Sequence, residues 1–206
     1  MGKFSGIKTL FIVGLGNIGS EYENTRHNAG FVFIDKFLEL NKLKPLKEKK
    51  DLFCYLGKYK IRDKEFFLAK PATYMNESGK AVIAIFNFYT HSRKKMYGTH
   101  MSVPLLQPTN LILIHDDLDI ALGKFKIQFG KGPKEHGGVS SVEKILKTKN
   151  FWHIRIGAEN RNENLKKRIS GKDFVLKKLN KNEKQIFEEA IIVAIEKFIE
   201  ECGFVS

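Results

Sequence analysis

The chain has 206 residues, 42% hydrophobic and 29% charged, a balance expected of one soluble globular domain with a core of its own and too short for two ordinary ones. Lys and Arg outnumber Asp and Glu 36 to 23, and a net charge of +13 draws polyanions, nucleic acid first; a lysine-rich composition common to its whole source is the plain alternative. No run approaches the roughly 18 apolar residues of a membrane helix, the first residues lack a secretory signal's apolar stretch, and Cys54 and Cys202 are too few for a disulfide framework and lack metal-ligand spacing, so a cytoplasmic protein with reduced thiols is expected.

Residues 8–13 form the first apolar run, a buried strand. Residues 29–40 place Phe31, Ile34, Phe37 and Leu38 at helical spacing. Residues 52–61 and 65–69 form a hairpin pair around Arg62 and Asp63, and Pro71 then breaks the chain. A helix follows with Val82, Ile85, Phe86 and Tyr89 on one face. Residues 111–114 are a short strand leading into an acidic turn, HDDLD. Residues 124–129 alternate as a strand, 141–148 read as a helix and 152–158 as another strand. The last helix, 182–201, buries Phe187, Ile191, Ala194 and Phe198, with Gly203 at the C-cap position. Residues 91–109 and 130–136 read as mobile loops. Interleaved strands and helices with hairpins between them predict one α/β domain around a mixed sheet.

The stretch FIVGLGNIGSEYENTRHNAGF holds a G-x-G-x-x-G at Gly14, Gly16 and Gly19. A dinucleotide site needs the third glycine in the first turn of a helix. Nine residues without helical period follow Gly19, and the helix starts near Asn28 or Ala29, so a nicotinamide or flavin cofactor is not expected. What remains is a strand end followed by a polar loop carrying Asn17, Tyr22, Arg26, His27 and Asn28, a common setting for active-site groups. Local alternatives stand beside that reading: Arg26 paired with Glu21 or Glu23, Asn28 as a helix cap, His27 as a surface or structural histidine.

Three further segments belong with this loop. KPATYMNESGKAV presents Tyr74, Met75 and Asn76 at a helix start. LILIHDDLDIALGKFKI ends a strand in His115, Asp116, Asp117 and Asp119, and HGGVSSVEKIL is a glycine turn entering a helix. Together, and in this order, the four motifs resemble the bacterial-type peptidyl-tRNA hydrolase family over residues 8–157, with weaker similarity in GKDFVLKKL.

The resemblance implies a single-domain α/β fold over residues 1–206, three layers with a mixed central sheet flanked by helices. It implies hydrolysis of the ester between a peptide and the 3′ ribose of tRNA, recycling tRNA from peptidyl-tRNA released by stalled ribosomes. In family terms His27 is the general base and Asp116 holds its basic form. Asn17 helps separate blocked from free aminoacyl groups, Tyr22 and Tyr74 flank the tRNA end, Asn76 holds the peptide end, and Met75 beside it is counted among the substrate- or tRNA-binding residues. Arg155 matches a phosphate-binding arginine, with a strand residue paired to an acid as its alternative. The second basic position of that clamp falls on Gln128, and Lys124, Lys126, Lys131 or Lys134 would have to compensate. Peptidyl-tRNA is the implied partner, the chain a monomer without an obligate protein partner.

The chemistry agrees with these assignments. An imidazole near pKa 6.5 can take a proton from water at neutral pH, and a neighbouring carboxylate fixes its tautomer. Asn76 is the candidate oxyanion donor. The chain lacks a nucleophile-elbow G-x-S-x-G, so direct water attack is expected over an acyl-enzyme. No cofactor or metal is expected, because the histidine and acids of HDD lack a second histidine at ligand spacing; Asp117 and Asp119 are read as solvated or turn-forming.

The chain also departs from the family. The usual Gly-Gly-His-Asn-Gly turn reads Gly137-Gly138-Val139-Ser140-Ser141, so Ser140 takes the slot of a substrate- and water-positioning asparagine with a shorter side chain. The loop before it is longer, as is the segment 91–110, and Ile18 replaces a common proline. A non-catalytic RNA-binding relative of the same fold is therefore the main rival.

Overall fold

The computed structural model describes residues 2–97 and 108–204. Its strands are β1 (Thr9–Gly14), β2 (Lys47–Lys49), β3 (Cys54–Ile61), β4 (Lys64–Pro71), β5 (Leu111–Ala121), β6 (Phe125–Phe129) and β7 (Trp152–Glu159). Its helices are α1 (Ala29–Leu40), α2 (Ser78–Tyr97), α3 (Gly137–Leu146), α4 (Glu163–Arg168), α5 (Gly171–Val175) and α6 (Lys181–Glu201). The strands make one seven-stranded sheet in the order β2-β3-β4-β1-β5-β7-β6. β1 is parallel to β4 and β5, and β5 to β7, whereas β2, β3 and β6 join antiparallel at the two edges.

Central parallel strands are covered on both faces, which is why they read as continuous apolar runs. Alternation along them sends Leu10, Ile12, Phe66, Leu68, Ile112 and Ile114 into one core with α1 and α6. Phe11, Val13, Phe67, Ala69, Leu111 and Leu113 enter a second core with α2 and α3. Helix, sheet and helix layers follow from that alternation. Among the described residues no helix is long and apolar enough to cross a membrane. Cys54 and Cys202 are buried free thiols whose pKa burial pushes up to about 12.

Three expectations need correcting. HDDLD is not a turn: β5 runs through it to Ala121, because His115, Asp116 and Asp117 pair with Arg155, Ile156 and Gly157 of β7. Residues 91–97 continue α2 rather than opening a loop; 98–107 lie outside the described residues, and Pro108–Asn110 form a short 3₁₀ turn. α3 begins at Gly137, four residues earlier than the apolar period suggested. Residues 130–136 link β6 to α3 without helix or strand.

The glycines of the first loop do packing work. Gly14 at the end of β1 and Gly30 in the first turn of α1 face each other backbone to backbone, and a Cβ on Gly30 would overlap Leu15 N and the Ile114 carbonyl. Neither obstacle is a side chain that can swing away. Gly30→Ala should therefore lower stability by about 1–3 kcal/mol, read as a reduced urea midpoint.

Candidate active site

The loop from β1 to α1 carries the site at the carboxyl end of the parallel strands, where such sheets place their ligands. After Gly19, at φ 115°, the chain makes two 3₁₀ turns, Ser20–Tyr22 and Arg26–Asn28, before α1 starts at Ala29. The third glycine, Gly19, is followed by a 3₁₀ turn and does not sit in the first turn of an α-helix. Asn28 does not cap α1 with its side chain. Its Oδ1 accepts from Asn17 N at 2.8 Å, and its Nδ2 donates to Asn17 O at 3.1 Å. Asn17 Oδ1 in turn accepts from Met75 N at 3.0 Å, which leaves Nδ2 as the donor its side chain can offer a ligand. Asn28 thus holds Asn17, and Asn17 holds the start of the Tyr74 segment.

Arg26 pairs with neither Glu21 nor Glu23. It is 1% exposed, with Nη2 donating to Glu183 Oε1 at 2.5 Å and to Asn160 Oδ1 at 3.1 Å, and its guanidinium lies 4.1 Å from the Phe174 ring centre. Leu179 N donates to Asn24 O, and Thr25 bridges to Lys178. The loop that carries His27 is therefore tied to the segment that bears α4 and α5.

His27 Nδ1 lies 2.9 Å from Asp116 Oδ1. The same oxygen meets His136 Nε2 at 3.0 Å. His136 is the N-cap of α3, and its Nδ1 accepts from Gly138 N and Val139 N. An acceptor at Nδ1 requires the proton on Nε2, so His136 donates to Asp116. Asp116 accepts from His27 as well, which puts the His27 proton on Nδ1 and the lone pair on Nε2. Each of the three side chains offers a ligand atom within 4.8 Å of the others. A metal would need the His136 Nε2 lone pair, which the cap excludes; the trio is built as a hydrogen-bond relay.

Burial alone would lower the pKa of His27, but the charge of Asp116 and its hydrogen bond outweigh burial and raise it above the ordinary value. Burial alone would raise that of Asp116; the facing imidazoles of His27 and His136 outweigh it and hold the carboxyl well below the usual range. His115 and His153 lie behind the site, fully buried and bonded Nε2 to Nδ1 at 3.1 Å. Burial pushes His115 down, and burial with the Arg155 charge pushes His153 down to about 4. On unfolding both regain a pKa near 6.5. Between pH about 4 and 6.5 the unfolded chain binds protons these two refuse when folded, so unfolding free energy should climb with pH across that window in urea titrations.

A cavity of about 600 Å³ opens over the pair, lined by Asn17, Tyr22, His27, Tyr74, Met75, Asn76 and Asp116 among the expected residues. Tyr74 is 68% exposed at its mouth, and Asn76 is exposed beside it. Two expected residues lie elsewhere. Ser140 faces solvent on α3, outside the cavity lining. Arg155 is 4% exposed, with Nε 2.6 Å from Asp117 Oδ2 and Nη1 donating to Gln128 Oε1 at 2.8 Å. Asp117 is thus a buried ion-pair partner and not a solvated acid, and its Oδ1 accepts from Asp119 N. Residues that sequence reasoning missed complete the wall: His136, Glu135 and Leu118, with Gly171, Lys172, Val175 and Leu176 from the α5 segment. The only signals for them were the His that opens HGGVSS and the weak similarity in GKDFVLKKL.

Comparison with known proteins follows the same geometry. The family profile described as peptidyl-tRNA hydrolase matches residues 11–203. A peptidyl-tRNA hydrolase from Lawsonia intracellularis is 39% identical over 146 residues, 71% of this chain and 65% of that protein. One from Mycoplasma mycoides subsp. mycoides SC is 35% identical over 185 residues, 90% of this chain and 88% of its own length. The crystal structure of peptidyl-tRNA hydrolase from Acinetobacter baumannii superposes with a TM-score of 0.77 at 31% identity, covering 98% of this chain and 92% of the other. With the profile spanning nearly the whole chain and the fold matching end to end, this protein belongs to the peptidyl-tRNA hydrolase family.

Proposed function

We propose that this chain hydrolyses the ester joining a peptide, or an N-blocked aminoacyl group, to the 3′ ribose of tRNA, with His27 as general base. The observation that carries the reading is the 2.9 Å contact between His27 Nδ1 and Asp116 Oδ1, which commits one ring nitrogen and leaves Nε2 basic in the cavity. Water attacks the ester carbonyl as His27 Nε2 takes its proton. The developing oxyanion is met by the amide groups of Asn17 and Asn76. The bond from carbonyl carbon to ribose oxygen then breaks, and the imidazolium returns its proton to that oxygen. A peptide carboxylate and a free ribose hydroxyl result. Asp116 stays ionised throughout and stabilises the imidazolium. The chemistry of these residues needs no metal or cofactor, and one domain with its own core suits a cytoplasmic monomer acting on peptidyl-tRNA.

The pH profile tests the pair. The base form of His27 is required, so kcat/KM should rise with pH through a midpoint above 6.5, set by the raised His27 pKa. Asp116→Asn removes the charge that raises this pKa and keeps the burial that lowers it. The rising limb should then move to lower pH while the plateau falls. An unmoved limb would remove Asp116 from the mechanism.

The rival, a binding module without turnover, draws on Val139 and Ser140 in place of the family's imidazole and amide. Incubation with an N-acetylaminoacyl-tRNA separates the two, because only the enzyme frees the acetylamino acid.

A further inference from the structure

The geometry points to a second RNA-docking surface at the β2–β3 edge of the sheet, on the side away from Arg155: a lysine-lined groove for the phosphates of tRNA, continued by exposed aromatic rings for its unpaired 3′ end. This rests on the reading of tRNA as the carrier of the substrate and goes beyond it by locating where the carrier lies.

Three independent observations carry it. The first is charge. A cavity of about 600 Å³ at this edge is lined by Lys42, Lys44, Lys47, Lys49, Lys58 and Lys60, with no acid in its lining. All six are exposed, and among the described residues only Lys58 has a carboxylate partner, Glu65 at 2.8 Å. A concave surface of one sign focuses its field on a polyanion.

The second is the state of the expected clamp. Arg155 is neutralised by Asp117 and buried, and its neighbour Gln128 carries no charge. A family-type clamp at β6 and β7 is thereby weakened, and phosphate binding needs cations elsewhere.

The third is the path from the groove to the cavity. Phe53, between β2 and β3, is 50% exposed at φ 53°, a left-handed conformation that a bulky residue rarely adopts. Its carbonyl accepts from Ala72 N at 2.7 Å, two residues before Tyr74. Tyr55, 36% exposed, pairs across the sheet with Lys70. Phe53 and Tyr74 thus place exposed rings between Lys49 at the groove and the mouth over His27, while Tyr55 lies on the other face of β3, opposite Glu48. Stacking of unpaired bases on exposed rings beside a basic groove is how single strands are held without sequence preference.

The test measures binding of deacylated tRNA, which is not a substrate, so that loss of turnover and loss of docking are read separately. The triple variant Lys47→Gln, Lys49→Gln, Lys60→Gln alters only exposed side chains, and its melting temperature reports any loss of fold. It should bind at least tenfold more weakly at low salt, with the slope of log K against log salt reduced by about 2–3. Phe53→Asn, which tolerates the left-handed backbone, should weaken intact tRNA about tenfold and leave tRNA trimmed of its unpaired 3′ end unaffected. Wild-type affinity and slope in the triple variant overturn the proposal and leave the groove to an acidic protein. Loss of affinity only on neutralising Lys124 and Lys126 of β6 overturns it equally, and returns the phosphates to the Arg155 side.

Discussion

His27→Ala should lower kcat for N-acetylaminoacyl-tRNA by about 10²–10⁴, with KM nearly unchanged. The ring is 13% exposed in its side chain, and its replacement leaves Asp116 bonded to His136, so the fold should survive. The effect then reports lost proton transfer and not lost structure. A melting temperature equal to wild type, with release of the acetylamino acid at background, is the expected pair of results. Turnover within a factor of three of wild type would require another base. Among the described residues lining the cavity the other carboxylates and imidazole are Asp116, Glu135 and His136. Asp116 is held ionised by two imidazoles and His136 has both nitrogens committed, so Glu135 would be the group to examine next.

Arg26→Met is expected to give the largest loss of stability. The guanidinium is buried against Phe174 and shares Glu183 Oε1 with Asn160 Nδ2, so its removal leaves a carboxylate, 18% exposed in its side chain, with hydrogen bonds from Asn160 and Asn180 but without its cation. Breaking one side of a buried pair costs about 3–5 kcal/mol; the residual solvent around Glu183 argues for the lower end. For a chain of this size that is a fall in Tm of about 6–12 °C. Arg26 precedes His27 directly, and its stacking on Phe174 ties the His27 loop to the wall made by α5. Activity measured well below the new Tm should therefore also fall, with kcat and KM both affected. Arg26→Lys keeps the charge but loses the stacked plane and the forked donors, and should recover only part of the stability. Full stability in Arg26→Met would show that the pair is dispensable.

Much of the fold was legible because its signals are local. Apolar runs at 8–13 and 111–114 gave the central strands, and the spacing of Phe31, Ile34 and Phe37 gave α1. The meeting of His27 with Asp116 was legible only through the order of the motifs, since 89 positions separate them. What was missed depends on partners far along the chain. Asp117 looked solvated because nothing near it in sequence is basic; its arginine arrives on β7, 38 positions on. Arg26 had Glu21 and Glu23 close by, yet its carboxylate comes from α6. Residues 91–97 lack an apolar period, and α2 continues through them because arginine and lysine extend an existing helix readily. His136 escaped notice because histidine is not among the usual N-cap residues.

That cap has an evolutionary consequence. One ring both caps the N-terminus of α3 and donates a hydrogen bond to Asp116, so the geometry of His136, Gly137 and Gly138 is committed, whereas Val139 points into the core and Ser140 into solvent. Substitutions just downstream of the glycines can therefore exchange the side chains at 139 and 140 while the contacts of Asp116 with His27 and His136 keep their alignment, so this stretch is free to drift without disturbing the trio.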